Sequence, residues 1–138
     1  MDREKLIRAA LEARSHSYAP YSHFQVGAAL LTKEGRIYEG CNIENAAYTP
    51  TICAERSAFF RAVYEGERAF AAIAIAGSPE GECVSYAAPC GVCRQVMMEF
   101  CDPKEFRIVI ARSVEDYVEY SLEELLPMGF GPDNLQRG

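Results

Sequence analysis

The sequence has no run rich in lysine or arginine. Its 138 residues include 14 basic and 20 acidic side chains, which gives a formal net charge of −6. A surface that binds nucleic-acid phosphates without sequence preference needs an excess of basic residues. We therefore expect no nucleic-acid partner, and a small neutral substrate suits this acidic balance better.

A long hydrophobic run is absent as well. The longest apolar stretch, Phe70 to Ala76, is far shorter than the roughly 20 residues that a membrane-spanning helix needs. The charged start, Met1 to Lys5, leads into an amphipathic stretch without the apolar centre of a signal peptide. We expect no membrane association and a cytoplasmic location, where thiols stay reduced.

Internal repeats, low-complexity tracts and composition breaks are also missing. The chain has the length of one ordinary domain, and 49% of its residues are hydrophobic, which is enough for one core. These features predict a single domain over residues 1–138.

The hydrophobic periodicity predicts alternating helices and strands. The order favours an α/β protein with a mixed sheet of about five strands and helices on its faces. Helices are predicted over residues 3–14, 51–65, 90–101 and 122–126, and strands over 24–32, 36–41, 70–76, 107–111 and 117–120. Residues 77–88 are predicted to form a loop or short bulge because Gly77, Pro79 and Gly81 interrupt the pattern, and the tail beyond Pro132 is expected to be loose.

The chain has six cysteines, which in a reducing compartment indicate metal binding or catalysis before disulfides. Cys90 and Cys93 are three positions apart and share one face of a predicted helix. Cys53 and Cys90 each lie near a helix start, where the helix dipole favours thiolates. The other three are expected to be buried small hydrophobic residues: Cys41, Cys83 and Cys101.

Three thiolates fill three corners of a tetrahedron around zinc and leave the fourth open for water. Glu55, two residues after Cys53, could then move the protons of that water. Other interpretations stay open at this point. A CxxC pair also suits a redox site, or a structural zinc site with a fourth protein ligand, for which the candidates by type are His16, His23, Cys41, Cys83 and Cys101.

Four strings in this order resemble the small homotetrameric zinc-dependent cytidine deaminases of the cytidine/deoxycytidylate deaminase superfamily: Phe24–Leu30, Cys41–Ala46, Cys53–Arg56 and Pro89–Gln95. The resemblance extends to Glu124–Pro127. It implies a three-layer α-β-α fold and hydrolytic deamination of cytidine and 2′-deoxycytidine in pyrimidine salvage. It also implies one Zn²⁺ per subunit and a homotetramer with shared active sites.

The same resemblance assigns the metal site. It implies that Cys53, Cys90 and Cys93 hold the zinc ion and that Glu55 is the catalytic proton carrier. Three thiolates more than neutralise Zn²⁺ and should make it a weaker acid toward water. Arg56 is expected to compensate by hydrogen bonding to a ligand sulfur.

Substrate contacts follow from the resemblance as well. Asn42 and Glu44 alternate in an extended segment and so project to one side, and the family uses this pair for the ribose 3′-hydroxyl. Three further residues are implied to bind the substrate: Phe24 as an aromatic wall, Ala54, and Phe130 lent by a neighbouring subunit. Tyr48 is expected to reach across an interface. Ala88 replaces the Ser or Thr common in the family, and its carbonyl is expected to receive the leaving amine.

Two alternatives remain for the function. A deaminase of a cytosine nucleoside antibiotic such as blasticidin S is the nearest, although those relatives lack the Asn42–Asn45 string found here. A structural zinc module that binds a protein partner is the other, and it requires four protein ligands. Residues 78–87 and 49–52 match the family poorly.

Overall fold

Five strands form one mixed sheet with helices on both faces in the computed structural model, which describes residues 1–81 and 86–135. The larger helices are α1 (Arg3–Ala13), α2 (Ala54–Tyr64) and α3 (Gly91–Phe100), followed by the short α4 (Leu122–Leu125) and α5 (Pro132–Leu135). The strands are β1 (Phe24–Thr32), β2 (Ile37–Cys41), β3 (Phe70–Pro79), β4 (Arg107–Ala111) and β5 (Tyr117–Ser121). A 3-10 turn, Arg14–His16, extends α1.

The strand order across the sheet is β2-β1-β3-β4-β5. The strands β1 and β2 form an antiparallel hairpin, with Gly27 opposite Cys41. Among neighbouring strands in the part of the chain that the structure describes, only β3 and β4 run parallel, and α3 lies between them in sequence. This mixed five-stranded arrangement confirms the fold class predicted from the sequence.

The two faces of β3 carry side chains of different size. Ile73 and Ile75 pack with α2 and α3 in the larger core cluster. Ala72, Ala74 and Ala76 face α1 in the smaller one. Because helices cover both faces of β3, residues 70–76 form one continuous apolar run. The molecule therefore has three layers, with the sheet between α1 on one face and α2 and α3 on the other.

Three regions differ from the sequence predictions by more than one residue. The strand β3 continues through Gly77 to Pro79, where a loop was expected, because it pairs with the start of β1. The helix α2 begins at Ala54 because Ile52 instead pairs with Ile43, with both backbone hydrogen bonds at 3.0 Å. The tail contains the short helix α5.

The remaining expectations concern cysteines and membranes. Cys41 and Cys101 are partly buried free thiols, and Cys83 lies outside the described residues. Over residues 1–81 and 86–135, none of the helices has the length and apolar character needed to cross a bilayer.

Candidate active site

Three thiols meet where α2 and α3 begin. Cys53 and Cys90 are the residues that immediately precede these helices and have extended backbone angles. The Sγ atoms of Cys53 and Cys90 are 3.7 Å apart, and those of Cys90 and Cys93 are 3.5 Å apart. All three sulfur atoms lie within 4.8 Å of one another. The structure thus brings together the three cysteines singled out in the sequence.

Close packing of α2 on the sheet helps to fix this meeting point. A Cβ at Gly40 in β2 would lie 2.4 Å from the backbone nitrogen of Ala58 and 2.6 Å from the carbonyl of Ala54. Only glycine permits this approach of strand and helix. The first turn of α2, which follows Cys53, is therefore held against the edge of the β1–β2 hairpin.

Positive charge compensates the thiols. Arg56 donates a hydrogen bond from Nη2 to the Cys53 sulfur over 3.4 Å, and the N-termini of α2 and α3 add their partial positive charge. The Cys93 thiol donates a hydrogen bond to Cys53, and this bond, together with the Arg56 guanidinium, lowers the pKa of Cys53. The same hydrogen bond raises the pKa of Cys93, as does the burial of that thiol. Cys53 is thus the most readily ionised member of this pair.

The donor set fits zinc. Soft thiolates within reach of one ion are typical zinc ligands, and three of them leave a fourth position for water or substrate. Among residues 1–81 and 86–135, the group of metal-binding side chains within 4.8 Å comprises only these three cysteines. Three protein ligands are the number typical of an open, catalytic zinc site.

Glu55 is buried beside the thiols. It is only 4% exposed, in the first turn of α2. Burial, helped by the negative charge of Cys53, raises the pKa of Glu55 to about 7. A carboxyl group with such a pKa can both accept and give up a proton near neutral pH, as a general acid–base requires.

A cavity of about 420 Å³ opens onto Glu55 and two of the three thiols, those of Cys53 and Cys90. Four residues expected to bind the substrate line it, namely Phe24, Asn42, Glu44 and Ala54, as does Ala88. Sequence reasoning missed other lining residues: Ser22, Val26, Thr51, Ile52 and Ala87. No sequence signal marks Ser22, because the Glu44 carboxylate that it contacts lies 22 positions away in the chain.

Hydrogen bonds fix the two polar side chains of this cavity. Asn42 accepts a bond from the Val26 amide at 2.9 Å and donates one to the Phe24 carbonyl at 2.8 Å. Glu44 accepts bonds from the amides of Tyr21 and Ser22 at 3.0 and 3.1 Å, and a further one from the Ser22 hydroxyl. These bonds lower the pKa of Glu44, so it is ionised at neutral pH.

Two residues expected at the site lie away from it in this chain. Phe130 is 56% exposed and is not among the residues that line the cavity. Its carbonyl accepts a hydrogen bond from Gln95. Tyr48 is exposed, and its ring is 6.3 Å from that of Tyr21. Both were expected to act across a subunit interface, so their exposure in one chain is compatible with that prediction.

Comparisons with known proteins agree on one family. Residues 1–110 match the family model described as "Cytidine and deoxycytidylate deaminase zinc-binding region". The chain is 47% identical to a cytidine deaminase of Sporosarcina psychrophila, with 98% of this chain and 96% of that protein covered. It is 45% identical to one of Halalkalibacterium halodurans, with 98% of each covered.

Solved structures agree with the sequence comparisons. A crystal structure of cytidine deaminase from Burkholderia pseudomallei superposes with a TM-score of 0.85 at 46% identity, covering 94% of this chain and 100% of that one. One from Mycobacterium tuberculosis gives a TM-score of 0.80 at 34% identity, covering 95% and 98%. By sequence and by fold, this chain belongs to the cytidine and deoxycytidylate deaminase family.

Proposed function

We propose that the protein is a zinc-dependent cytidine deaminase that hydrolyses cytidine and 2′-deoxycytidine to uridine and 2′-deoxyuridine, with release of ammonia. The observation that carries this proposal is Glu55, buried beside three clustered thiols at one side of the cavity. The 41–47% identity to cytidine deaminases over nearly the whole chain supports the same activity.

Cys53, Cys90 and Cys93 would hold the metal ion. A bound zinc ion supplies Lewis acidity, which makes water a better nucleophile near neutral pH. Arg56 withdraws charge from the Cys53 sulfur through its hydrogen bond. It therefore offsets part of the excess negative charge of three thiolates.

Glu55 moves the protons. Its carboxylate accepts one proton from the attacking water and delivers it to N3 of the pyrimidine, which makes C4 more electrophilic. After the oxygen has bonded to C4, Glu55 transfers the second proton to the exocyclic amine. The C4–N bond then breaks and ammonia leaves. The pKa of about 7 lets Glu55 serve as base and acid in turn.

Cavity residues orient the nucleoside. Asn42 and Glu44 offer an amide and a carboxylate to the ribose 3′-hydroxyl, and Phe24 forms an aromatic wall for the base. The Ala54 backbone contacts the base, and the Ala88 carbonyl receives the leaving amine. The polar pair favours a nucleoside with a free ribose over an antibiotic such as blasticidin S.

The assembly is a further part of the proposal. A homotetramer would place Phe130 of one subunit against the cavity of another, which accounts for a large exposed aromatic side chain near the C-terminal end. Light scattering after size-exclusion chromatography tests this, and we expect a mass four times that of the chain.

A cytoplasmic location is also part of the proposal, because thiols stay reduced there and the three clustered cysteines remain able to bind metal.

Replacing Glu55 with Gln tests the activity. The amide keeps the shape of the side chain but cannot accept a proton, so we expect kcat for cytidine to fall about 10²- to 10⁴-fold. Loss of cytidine absorbance measures turnover, and elemental analysis should find zinc retained. Glu99→Gln, on the exposed surface of α3, is the matched control. Near-normal turnover by the Glu55 variant would contradict the proposal.

A further inference from the structure

A three-residue cluster joins the segment before α3 to the turn between β4 and β5. Tyr86 donates a hydrogen bond from its phenol to the Asp116 carboxylate. The Arg112 guanidinium lies 4.5 Å from the centre of the Tyr86 ring and donates from Nε to Asp116 over 2.8 Å. A guanidinium over an aromatic face and a charge-assisted hydrogen bond both stabilise such a contact.

The turn that presents Asp116 is itself well fixed. The Arg112 amide donates to the Asp116 carbonyl at 2.8 Å, and the Asp116 amide donates to the Ser113 hydroxyl at 3.1 Å. Tyr86 and Arg112 together lower the pKa of Asp116, so the acceptor is charged at neutral pH. The anchor for Tyr86 is thus rigid and ionised.

Residues 86–90 form one wall of the cavity. Ala87, Ala88 and Cys90 line it. No hydrogen bond between two main-chain atoms joins residues 86–89 to another residue that the structure describes. Side chains hold the segment instead: Arg94 donates to the Pro89 carbonyl at 2.8 Å at one end, and Tyr86 holds the other.

We propose that Tyr86 is a positioning residue, which through Asp116 and Arg112 keeps the Ala87–Ala88 wall in the geometry that accepts the substrate base. This rests on the proposed function, because the Ala88 carbonyl is the group that it places. Releasing the phenol would let the wall sample other conformations. The apparent affinity for substrate would then fall in proportion to the fraction of molecules in which the wall keeps its binding-competent conformation.

Tyr86→Phe tests the role while keeping the ring beneath Arg112. Because Tyr86 is partly exposed, loss of its hydrogen bond should have the effect of an ordinary one and raise the KM for cytidine about fivefold, with kcat within about twofold because bound substrate restores the wall. A side chain that only stabilised the fold would lower the melting temperature and leave KM unchanged. Tyr120→Phe, another partly exposed tyrosine, is the matched control and should leave both constants unchanged.

Asp116→Asn is the second variant, and together with Tyr86→Phe it forms a double-mutant cycle on KM. If both residues act through one contact, the Tyr86→Phe/Asp116→Asn double variant should show a KM no more than about twofold above that of the worse single variant. Independent, multiplying effects would refute the shared contact. An unchanged KM in Tyr86→Phe would refute the positioning role.

Backbone NMR relaxation separates this proposal from the proposed function. In the zinc-loaded protein, the Ala87 and Ala88 amides should show more motion in Tyr86→Phe than in the wild type, as lower order parameters or as added relaxation dispersion. Unchanged relaxation by both measures would refute the positioning role even without kinetics. A wild-type protein that binds zinc but does not turn over cytidine would instead refute the proposed function.

Discussion

Gly77 is the position where one added methyl group should alter the cavity most directly. It is buried in β3 opposite Val26. A Cβ there would lie 2.7 Å from the Cβ of Ala87, 3.0 Å from Cε1 of Phe24 and 3.3 Å from Cγ2 of Val26. All three neighbours line the cavity. We therefore expect Gly77→Ala to displace these three lining side chains and so to change the shape of the cavity.

The size of the effect follows from these distances. Carbon atoms prefer to be about 3.5–4.0 Å apart, so Ala87 must retreat by about 1 Å. Overpacking of this kind costs about 1–3 kcal/mol, and replacing a strand glycine returns about 0.5–1 kcal/mol. We expect the free energy of unfolding to fall by about 1–2 kcal/mol, and the KM for cytidine to rise as the wall moves.

Urea unfolding of the zinc-loaded protein measures the first quantity, and steady-state deamination measures the second. Gly77→Ala/Ala87→Gly is the matched rescue, because it removes the nearest colliding atom and should recover at least half of both losses. Ala87→Gly alone controls for the missing methyl group. Wild-type stability and KM in Gly77→Ala would show that the packing argument is wrong.

Two further predictions concern stability. Glu119 accepts hydrogen bonds from Arg3 and Arg107, which lower its pKa to about 2. A lowered carboxyl pKa stabilises the fold above the ordinary value of 4.5 and loses that effect as the pH falls toward 2. Glu119→Gln should thus cost about 1 kcal/mol at pH 7, after screening of the exposed arginines, and almost nothing near pH 2. Equal costs at both pH values, by denaturant titration, would exclude the ion pairs as the cause. Chelation of zinc should abolish deamination and lower the melting temperature, and added zinc should restore both. A chelated protein with an unchanged melting temperature would contradict coupling between metal and fold.

Much of the fold could be predicted because burial leaves a direct pattern in the sequence. The run from Phe70 to Ala76 is apolar on both faces and was correctly assigned to a covered strand. Cys53 and Cys90 were placed at helix starts because proline and the apolar period mark those boundaries. The start of α2 was predicted three residues too early, at Thr51 instead of Ala54, since the pairing of Ile52 with Ile43 is a tertiary contact that overrides local preference.

Other features depend on contacts between distant segments and have no local signal. Gly77 was assigned to a loop as a breaker, whereas its lack of a side chain serves close packing inside a strand. Tyr86 lies 30 positions from Asp116, and no periodicity connects the two. The cavity residues Ser22 and Ala87 likewise have no local signal, because Ser22 is placed by its bonds to Glu44 and Ala87 by its packing beside Gly77.

The hydrogen bonds of Asn42 and Glu44 also bear on the entropy of ligand binding. Both side chains are already immobilised by the protein's own amides, carbonyls and a hydroxyl. Freezing a free polar side chain at an interface costs about 0.5–1.5 kcal/mol. A sugar hydroxyl that meets these two groups does not bear that cost, so even a small ligand with few contacts gains affinity from preorganisation.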